Sequence, residues 1–138
     1  MEDFLFGQEH VDRYIATDGE EGHDWRNGAP VALLTTEGRK SGEERINPLI
    51  YGVHGDDFLL VASKGGSPAP PAWYLNLQAH PEAELQVKGE HHKVRARDAT
   101  PEEKPELWKL MASIWPDYDA YQRNTDREIP VVILEPAG

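Results

Sequence analysis

A cluster of basic residues is the first feature of this sequence that suggests chemistry. Residues 39–45 read Arg-Lys-Ser-Gly-Glu-Glu-Arg, in a chain of 138 residues whose formal net charge is −11. Guanidinium groups suit bidentate contact with oxyanions such as phosphate and carboxylate. An anionic small ligand would explain this local positive charge, and a solvated hairpin tip is the alternative. The nearby string Gly38-Arg-Lys-Ser41 lacks the second glycine of the nucleotide motif, which excludes an ATP-binding P-loop.

A second candidate is the Gly- and Pro-rich segment 63–70, Ser-Lys-Gly-Gly-Ser-Pro-Ala-Pro. Its glycines and prolines break both helices and strands, so we expect no regular structure there. Glycine lets the backbone approach a ligand closely, and backbone N–H groups can face an anion or a ring carbonyl. The segment is therefore either a ligand-binding loop or a flexible hairpin connection.

Aromatic residues recur at three-residue spacing near the C-terminal end, as Trp115, Tyr118 and Tyr121. This spacing would line one wall of a pocket with aromatic rings. Aromatic stripes are usually core, but the polar neighbours of these residues favour a partly exposed wall. Trp73 and Asn76 are also three residues apart and would share one face of a short helix, although Trp73 could equally be plain core.

Several other chemistries are excluded by composition or spacing. The sequence has no cysteine, so thiol nucleophiles, thiolate metal sites and disulfides are ruled out. His91 and His92 are adjacent on a predicted strand and point to opposite faces, so we expect surface residues and no metal site. The acidic net charge opposes binding to nucleic acid and to anionic membranes.

The elements that must position these residues are mostly short strands. Alternating or continuously apolar runs predict six of them, at 31–36, 45–51, 58–62, 84–88, 92–97 and 129–134. A short helix within residues 2–16, another at 71–79 and a third from a capping box at Thr100–Glu103 to Pro116 are also predicted. Residues 118–124 form either a further short helix or a loop.

Six mainly antiparallel strands with few helices predict a closed or nearly closed six-stranded barrel, because closure removes exposed sheet edges. The length suits a single domain, 1–138, with residues 1–28 as an N-terminal helix and loop and 29–138 as the barrel. We see no apolar run near the roughly 20 residues of a membrane span and no signal peptide. A soluble cytoplasmic protein is therefore expected.

Several strings of this sequence occur together, in the same order, in one known family. They are Leu34–Gly42, Asn47–Leu49, Ala62–Gly66, Pro71–Asn76 and Thr125–Pro130. On these strings the sequence resembles the deazaflavin-dependent nitroreductase family. The resemblance implies a split β-barrel of the FMN-binding type and coenzyme F420. The reduced cofactor would then pass hydride to a quinone, a nitroaromatic or an activated alkene.

The same resemblance implies how the cofactor would be held. Its phosphodiester and acidic tail would lie on Arg39, Lys40 and Arg45, and the Ser63 loop would wrap its ring. The full set of implied cofactor-binding residues is Arg39, Lys40, Ser41, Arg45, Asn47, Pro48, Ala62, Ser63, Lys64, Gly65, Trp73 and Asn76.

The resemblance also places Trp115, Tyr118 and Tyr121 in the substrate pocket. Hydride transfer leaves an anion that needs a proton, and Ser63, Tyr118 and Tyr121 are the candidate catalytic donors. Trp115 stands where the family usually carries a third aromatic hydroxyl. This departure puts nitroimidazole-type acceptors in doubt more than hydride transfer itself.

Two alternatives stay open. The same barrel would also suit FMN or haem, because a fold does not determine a function. A carrier that binds F420 without turning it over is the second. For the reductase we expect F420 and a small-molecule substrate as partners, no nucleic acid, a monomer or weak homodimer, and no membrane contact because the N-terminal segment is acidic. The physiological acceptor is not predicted.

Overall fold

The computed structural model describes residues 7–25 and 28–137. These residues form a mixed α+β fold with one antiparallel sheet of seven strands and four α-helices. The strands are β1 (Val31–Glu37), β2 (Glu44–Ile50), β3 (Gly52–His54), β4 (Asp57–Val61), β5 (Glu82–Val87), β6 (Glu90–Asp98) and β7 (Val131–Pro136). The helices are α1 (Gly7–Thr17), α2 (Ala72–Ala79), α3 (Lys104–Ile114) and α4 (Asp117–Arg123).

The observed sheet differs from the predicted six-stranded barrel in its number of strands and in its closure. A seventh strand, β3, pairs with β4. This strand was not predicted, because it has only three residues and two of them, Val53 and His54, are exposed. So short a segment shows no alternation of apolar and polar residues. The strand order is β2-β1-β5-β6-β7-β4-β3, so within the described residues the sheet is not closed by hydrogen bonds.

The two edge strands, β2 and β3, are nevertheless consecutive in the chain. Tyr51 joins them, and its backbone N–H donates to the carbonyl of Pro30 at 3.1 Å, just before β1. The sheet must therefore curl until its two edges meet at this residue. The curl protects both edges without a closing ladder.

Alternation along the central strands separates two apolar clusters. Leu60, Val132 and Leu134 face one side of the sheet with Trp73 and Leu77 of α2. The other side carries Leu59, Val61 and Ile133, which pack with residues of α3 and α4. In this second cluster α3 supplies Leu107 and Met111, α4 supplies Tyr118, and Trp115 lies between the two helices. Helices α2 and α4 are thus held on opposite faces of the sheet.

The capping box at Thr100–Glu103 is present as predicted. Thr100 N–H donates to Glu103 Oε1 at 2.9 Å, and Glu103 N–H donates to Thr100 Oγ1 at 3.3 Å. The helix itself begins at Lys104, because residues 101–103 form the turn that leads into it. Residues 118–124 were predicted as either a short helix or a loop, and the structure shows a helix there, α4.

The predicted N-terminal helix is found as α1, but its predicted first residues, 2–6, lie outside the described ranges. Residues 71–79 correspond to α2. None of the helices in the described ranges has the length and apolar character that a membrane crossing requires.

Candidate active site

Two cavities adjoin at the N-terminal end of α2. They share Asn47, Ala72 and Trp73 as lining residues, so they lie side by side, and we refer to the two together as the cleft. The basic chamber, about 510 Å³, is lined by residues that include Arg39, Lys40, Ser41, Arg45 and Asn76. The aromatic chamber, about 500 Å³, is lined by residues that include Trp25, Pro48, Ser63, Lys64, Gly65, Trp115, Tyr118 and Tyr121.

The cleft brings together all but one of the predicted site residues. Asn47 and Trp73 belong to both chambers. Ala62 is the exception: it is fully buried and lines neither chamber. Gln8 and Trp25 line the cleft but were missed, because each comes from a segment with no recognisable motif.

An ordered turn between β1 and β2 builds the basic chamber. Gly38 N–H donates to the Glu43 carbonyl and Gly42 N–H to the Gly38 carbonyl, both at 2.8 Å. Ser41 Oγ accepts from Glu43 N–H at 3.1 Å, so this hydroxyl shapes the turn. The turn is a defined structure rather than a loose hairpin tip.

Arg45 pairs with Glu43 at 3.3 Å, and both side chains are more than half exposed. Such a pair contributes only about 0–1 kcal/mol, so a ligand anion can replace Glu43 at little cost. Lys40 is exposed. The carboxylate of Glu44 also borders this chamber, where the three cations outnumber it.

Asn76 anchors Arg39. Its Oδ1 accepts from the backbone N–H of Arg39 at 3.2 Å and from Arg39 Nη1 at 3.0 Å. Its Nδ2 donates to Thr36 Oγ1 at 3.1 Å. Asn76 is 3% exposed, and its amide groups already have protein partners. Its clearest role is to fix Arg39 at the mouth of the basic chamber.

The loop after β4 borders the aromatic chamber in a strained backbone. Lys64, Gly65 and Gly66 have φ values of +46°, +63° and +83°. A Cβ at Gly65 would meet no atom within 4 Å, whereas one at Gly66 would lie 2.8 Å from the Tyr121 carbonyl oxygen. Gly65 therefore leaves bare backbone beside the cavity, and Gly66 lets the loop pack directly on α4.

Aromatic rings form the opposite wall. Trp115 Nε1 donates to the Tyr121 hydroxyl at 3.4 Å, and the Tyr118 and Tyr121 rings meet edge to face at 6.1 Å. The Trp25 ring lies 5.6 Å from that of Trp115. Trp115 and Tyr118 are buried members of a core cluster as well as lining residues of the chamber, and only Tyr121 of the three is partly exposed.

Burial raises the pKa of Tyr118, and the neighbouring Tyr121 adds to the effect. The phenol therefore stays protonated at physiological pH, with its hydroxyl able to donate a hydrogen bond into the chamber. Its hydroxyl makes no hydrogen bond within the described residues. No group of three or more His, Asp or Glu side chains suited to a metal ion occurs in the same ranges.

The sequence profile of F420H(2)-dependent quinone reductases matches residues 6–136. This chain belongs to that family. The F420H(2)-dependent quinone reductase Rv1261c of Mycobacterium tuberculosis is 39% identical to it over 124 residues, which is 88% of this chain and 83% of that protein. The resemblance drawn from the sequence is confirmed, with quinones in place of nitroaromatics in the family description.

Two solved structures are similar to this chain, and one of them is described as an F420H2-dependent reductase. An F420H2-dependent reductase, FDR-A, is 41% identical, with a TM-score of 0.72, over 77% of this chain and 94% of its own. A chain described as a domain-swapped dimer is 39% identical, with a TM-score of 0.75, over 93% of this chain and 96% of its own.

Membership of the reductase family makes coenzyme F420 the cofactor of this oxidoreductase, and the cleft suits it. F420 combines a flat deazaflavin ring with a phosphodiester and an acidic tail. The basic chamber offers Arg39, Lys40 and Arg45 to the anionic part. The aromatic chamber offers the ring an apolar wall and the bare backbone of Gly65.

Proposed function

We propose that this protein reduces quinones with F420H2, holding the deazaflavin ring in the aromatic chamber and the acidic tail in the basic chamber. The observation that carries the proposal is that the two chambers adjoin, with Asn47, Ala72 and Trp73 lining both. A basic anion site next to an aromatic slot matches the two halves of one molecule. Neither chamber alone would distinguish F420 from other anionic or aromatic ligands.

When bound, the reduced cofactor supplies a hydride to an electron-poor acceptor. The chain's own contribution is to hold the accepting atom of the substrate within about 3–3.5 Å of the donor carbon and to keep bulk water away. The walls formed by Trp73, Trp115 and Trp25 serve both purposes. Positioning rather than strong acid chemistry therefore supplies most of the rate.

A quinone that has accepted hydride is a hydroquinone anion and needs one proton. Tyr118 is the best donor among Ser63, Tyr118 and Tyr121, because its hydroxyl has no hydrogen-bond partner in the described chain and a phenol is a stronger acid than the serine hydroxyl. Tyr121 is the second candidate: its oxygen accepts from Trp115, which leaves its own proton free. We assign the first role to Tyr118.

Nitroaromatics and activated alkenes are further acceptors that we include in the proposal. Both are electron-poor and planar at the reacting atoms, and the aromatic wall is not specific to a quinone carbonyl. Trp115 adds a ring but no phenolic proton to that wall, so we expect nitroimidazole-type compounds to react more slowly than quinones.

We also propose that one chain suffices for the reaction, as a monomer or weak homodimer. Light scattering over a range of protein concentrations, with activity measured in the same samples, tests this proposal. Activity per chain that stays constant on dilution would support it, and activity lost on dilution would contradict it.

Turnover tests the function directly. Purified protein is mixed anaerobically with F420H2 and, separately, with menadione, a nitroaromatic and a cyclic enone, and oxidation of the cofactor is followed. We expect fast oxidation with menadione and slower oxidation with the other two. Binding of F420 without oxidation by any acceptor would favour a carrier. No binding of F420, together with retained FMN or haem, would contradict the reductase.

A further inference from the structure

Arg127 makes three hydrogen bonds to the backbone of the loop that borders the aromatic chamber. Its Nε donates to the Ser67 carbonyl at 2.8 Å, Nη1 to the Ala62 carbonyl at 3.2 Å and Nη2 to the Ser63 carbonyl at 2.8 Å. In the described part of the chain this guanidinium forms no ion pair with a carboxylate. All three side-chain hydrogen bonds of Arg127 go to one loop.

The residue is itself tied to α4. The Arg127 carbonyl accepts from Gln122 Nε2 at 2.9 Å, and Gln122 Oε1 accepts from Ile129 N–H at 2.9 Å. On the other side of the loop, Gly66 packs against the backbone of Tyr121. The loop is therefore joined to α4, the helix that carries both tyrosines, at two places. Arg127 makes the first junction, and the contact of Gly66 with Tyr121 makes the second.

The three bonds also decide where the loop's N–H groups point. In a trans peptide the C=O and N–H lie on opposite sides, and no peptide in the described chain is cis. With the Ala62 and Ser63 carbonyls turned to Arg127, the N–H groups of Ser63 and Lys64 point away from it. Neither N–H has a partner in the described chain, and both residues line the aromatic chamber.

We propose that Arg127 is a positioning residue that holds the Ser63–Ser67 loop against Tyr121 and turns the Ser63 and Lys64 N–H groups toward the bound deazaflavin ring. This inference rests on the proposed function. A planar guanidinium can donate to three divergent carbonyls at once, whereas a lysine ammonium on a flexible stem cannot match that fork. The loop needs such a clamp because three consecutive residues have left-handed backbones.

The first test needs no cofactor. Hydrogen exchange is measured on the backbone amides of residues 62–67 in the wild type, in Arg127→Met and in Arg127→Lys. Arg123→Met serves as the matched control, because Arg123 is an exposed arginine of α4 whose side chain has no partner in the described chain. We expect exchange at Gly66 and Ser67 at least about tenfold faster in Arg127→Met and unchanged in the control. Unchanged exchange in Arg127→Met would overturn the proposal.

The second test separates the ring from the tail. The same proteins are titrated with F420 and with the deazaflavin riboside that lacks the phosphodiester and tail. We expect Arg127→Met to weaken both ligands by the same factor, about tenfold, because the loop contacts only the ring. Wild-type affinity for the riboside in this variant would overturn the proposal.

Arg127→Lys guards against a variant that fails to fold. This variant keeps the positive charge but loses the planar set of N–H donors, so we expect it to resemble Arg127→Met in both tests. A lysine variant with wild-type exchange and wild-type affinity would overturn the positioning role. A wild-type protein that binds neither ligand would overturn the proposed function and the ring contact, while the exchange result would still decide the clamp.

Discussion

At the scale of single residues, the two tyrosines of α4 differ in what their hydroxyl groups contact. The Tyr121 oxygen accepts a hydrogen bond from Trp115 Nε1, whereas the Tyr118 hydroxyl has no partner in the described chain. Burial raises the pKa of Tyr118, so its hydroxyl is protonated at neutral pH. Tyr118 therefore fits a donor that acts only after an anion has formed beside it.

The Tyr118→Phe variant tests that assignment. We expect kcat with menadione to fall about 100-fold, which is typical for loss of one general acid, while the affinity for F420 stays unchanged. Because the pKa of Tyr118 is raised, the wild-type rate should show no loss from its ionisation below about pH 10. Steady-state kinetics across pH and a cofactor titration supply both readouts.

Tyr74→Phe is the control for this change. Tyr74 is also a tyrosine with a raised pKa, but its hydroxyl donates to Asp98 Oδ2 at 2.7 Å and does not line the cleft. It should leave kcat unchanged. If Tyr118→Phe also keeps the wild-type kcat, the proton comes from Tyr121, Ser63 or water.

At the scale of elements, the contact between the Ser63–Ser67 loop and α4 depends on one glycine. A Cβ at Gly66 would lie 2.8 Å from the Tyr121 carbonyl oxygen, on a backbone with φ of +83°. The close atoms belong to the Tyr121 main chain, which cannot move away from an added Cβ as a flexible side chain could. The loop and the helix can therefore approach this closely only while residue 66 has no side chain.

Gly66→Ala should lower the free energy of unfolding by about 2–4 kcal/mol, from the left-handed backbone and the clash together. Gly55→Ala is the matched control, because its φ is +62° and a Cβ there meets no atom within 4 Å. The control should lose only about 1–2 kcal/mol. Urea denaturation of both variants measures the difference, and equal losses would show that the loop does not press on α4.

A second junction, between β6 and α3, depends on Glu103. Arg97 donates to both carboxylate oxygens, at 2.8 and 2.9 Å, and Thr100 N–H donates to one of them. Mainly through Arg97, these contacts lower the pKa of Glu103 to about 2. The unfolded chain has the ordinary glutamate pKa, so this contribution to stability is present above about pH 4.5 and is lost as pH falls toward 2.

The Glu103→Gln variant should therefore have a lower Tm than the wild type at neutral pH, and the gap should narrow as pH falls below about 4.5. Glu102→Gln is the control, because Glu102 is exposed and has no partner in the described chain. Thermal unfolding across this pH range provides the data. A gap that does not depend on pH would show that the carboxylate charge is not what joins β6 to α3.

At the scale of the whole molecule, the chemistry depends on contacts between distant parts of the chain. The alternating apolar pattern was enough to predict the longer strands, and the capping box to predict α3, because both signals are local. The strand β3 was missed because three residues are too few for a pattern. A closed or nearly closed barrel was predicted, but the strand order was not, because pairing order is set by contacts across the whole chain.

The same limit applies to the site. The motif strings located Arg39, Ser63 and Tyr118 because each lies in a recognisable string. Arg127 was overlooked although it stands in one of those strings, since its partners are 60–65 residues away. Trp25 reaches the cleft only because the segment between α1 and β1 packs its ring on Trp115. Such contacts become visible only once the sheet is assembled.

The central claim is that one cleft holds both halves of F420, and a paired titration tests it most directly. F420 and the tail-less deazaflavin riboside are titrated into the wild type, Arg45→Glu and the control Arg95→Glu. Arg45 and Arg95 are both exposed strand arginines paired with one exposed glutamate, at 3.3 and 3.4 Å, but only Arg45 lines the cleft.

We predict that Arg45→Glu weakens F420 binding roughly 10- to 100-fold and leaves riboside binding unchanged, while Arg95→Glu changes neither. That pattern would place the tail in the basic chamber and the ring elsewhere in the cleft. Unchanged F420 affinity in Arg45→Glu, or an equal loss for both ligands, would contradict the two-chamber account.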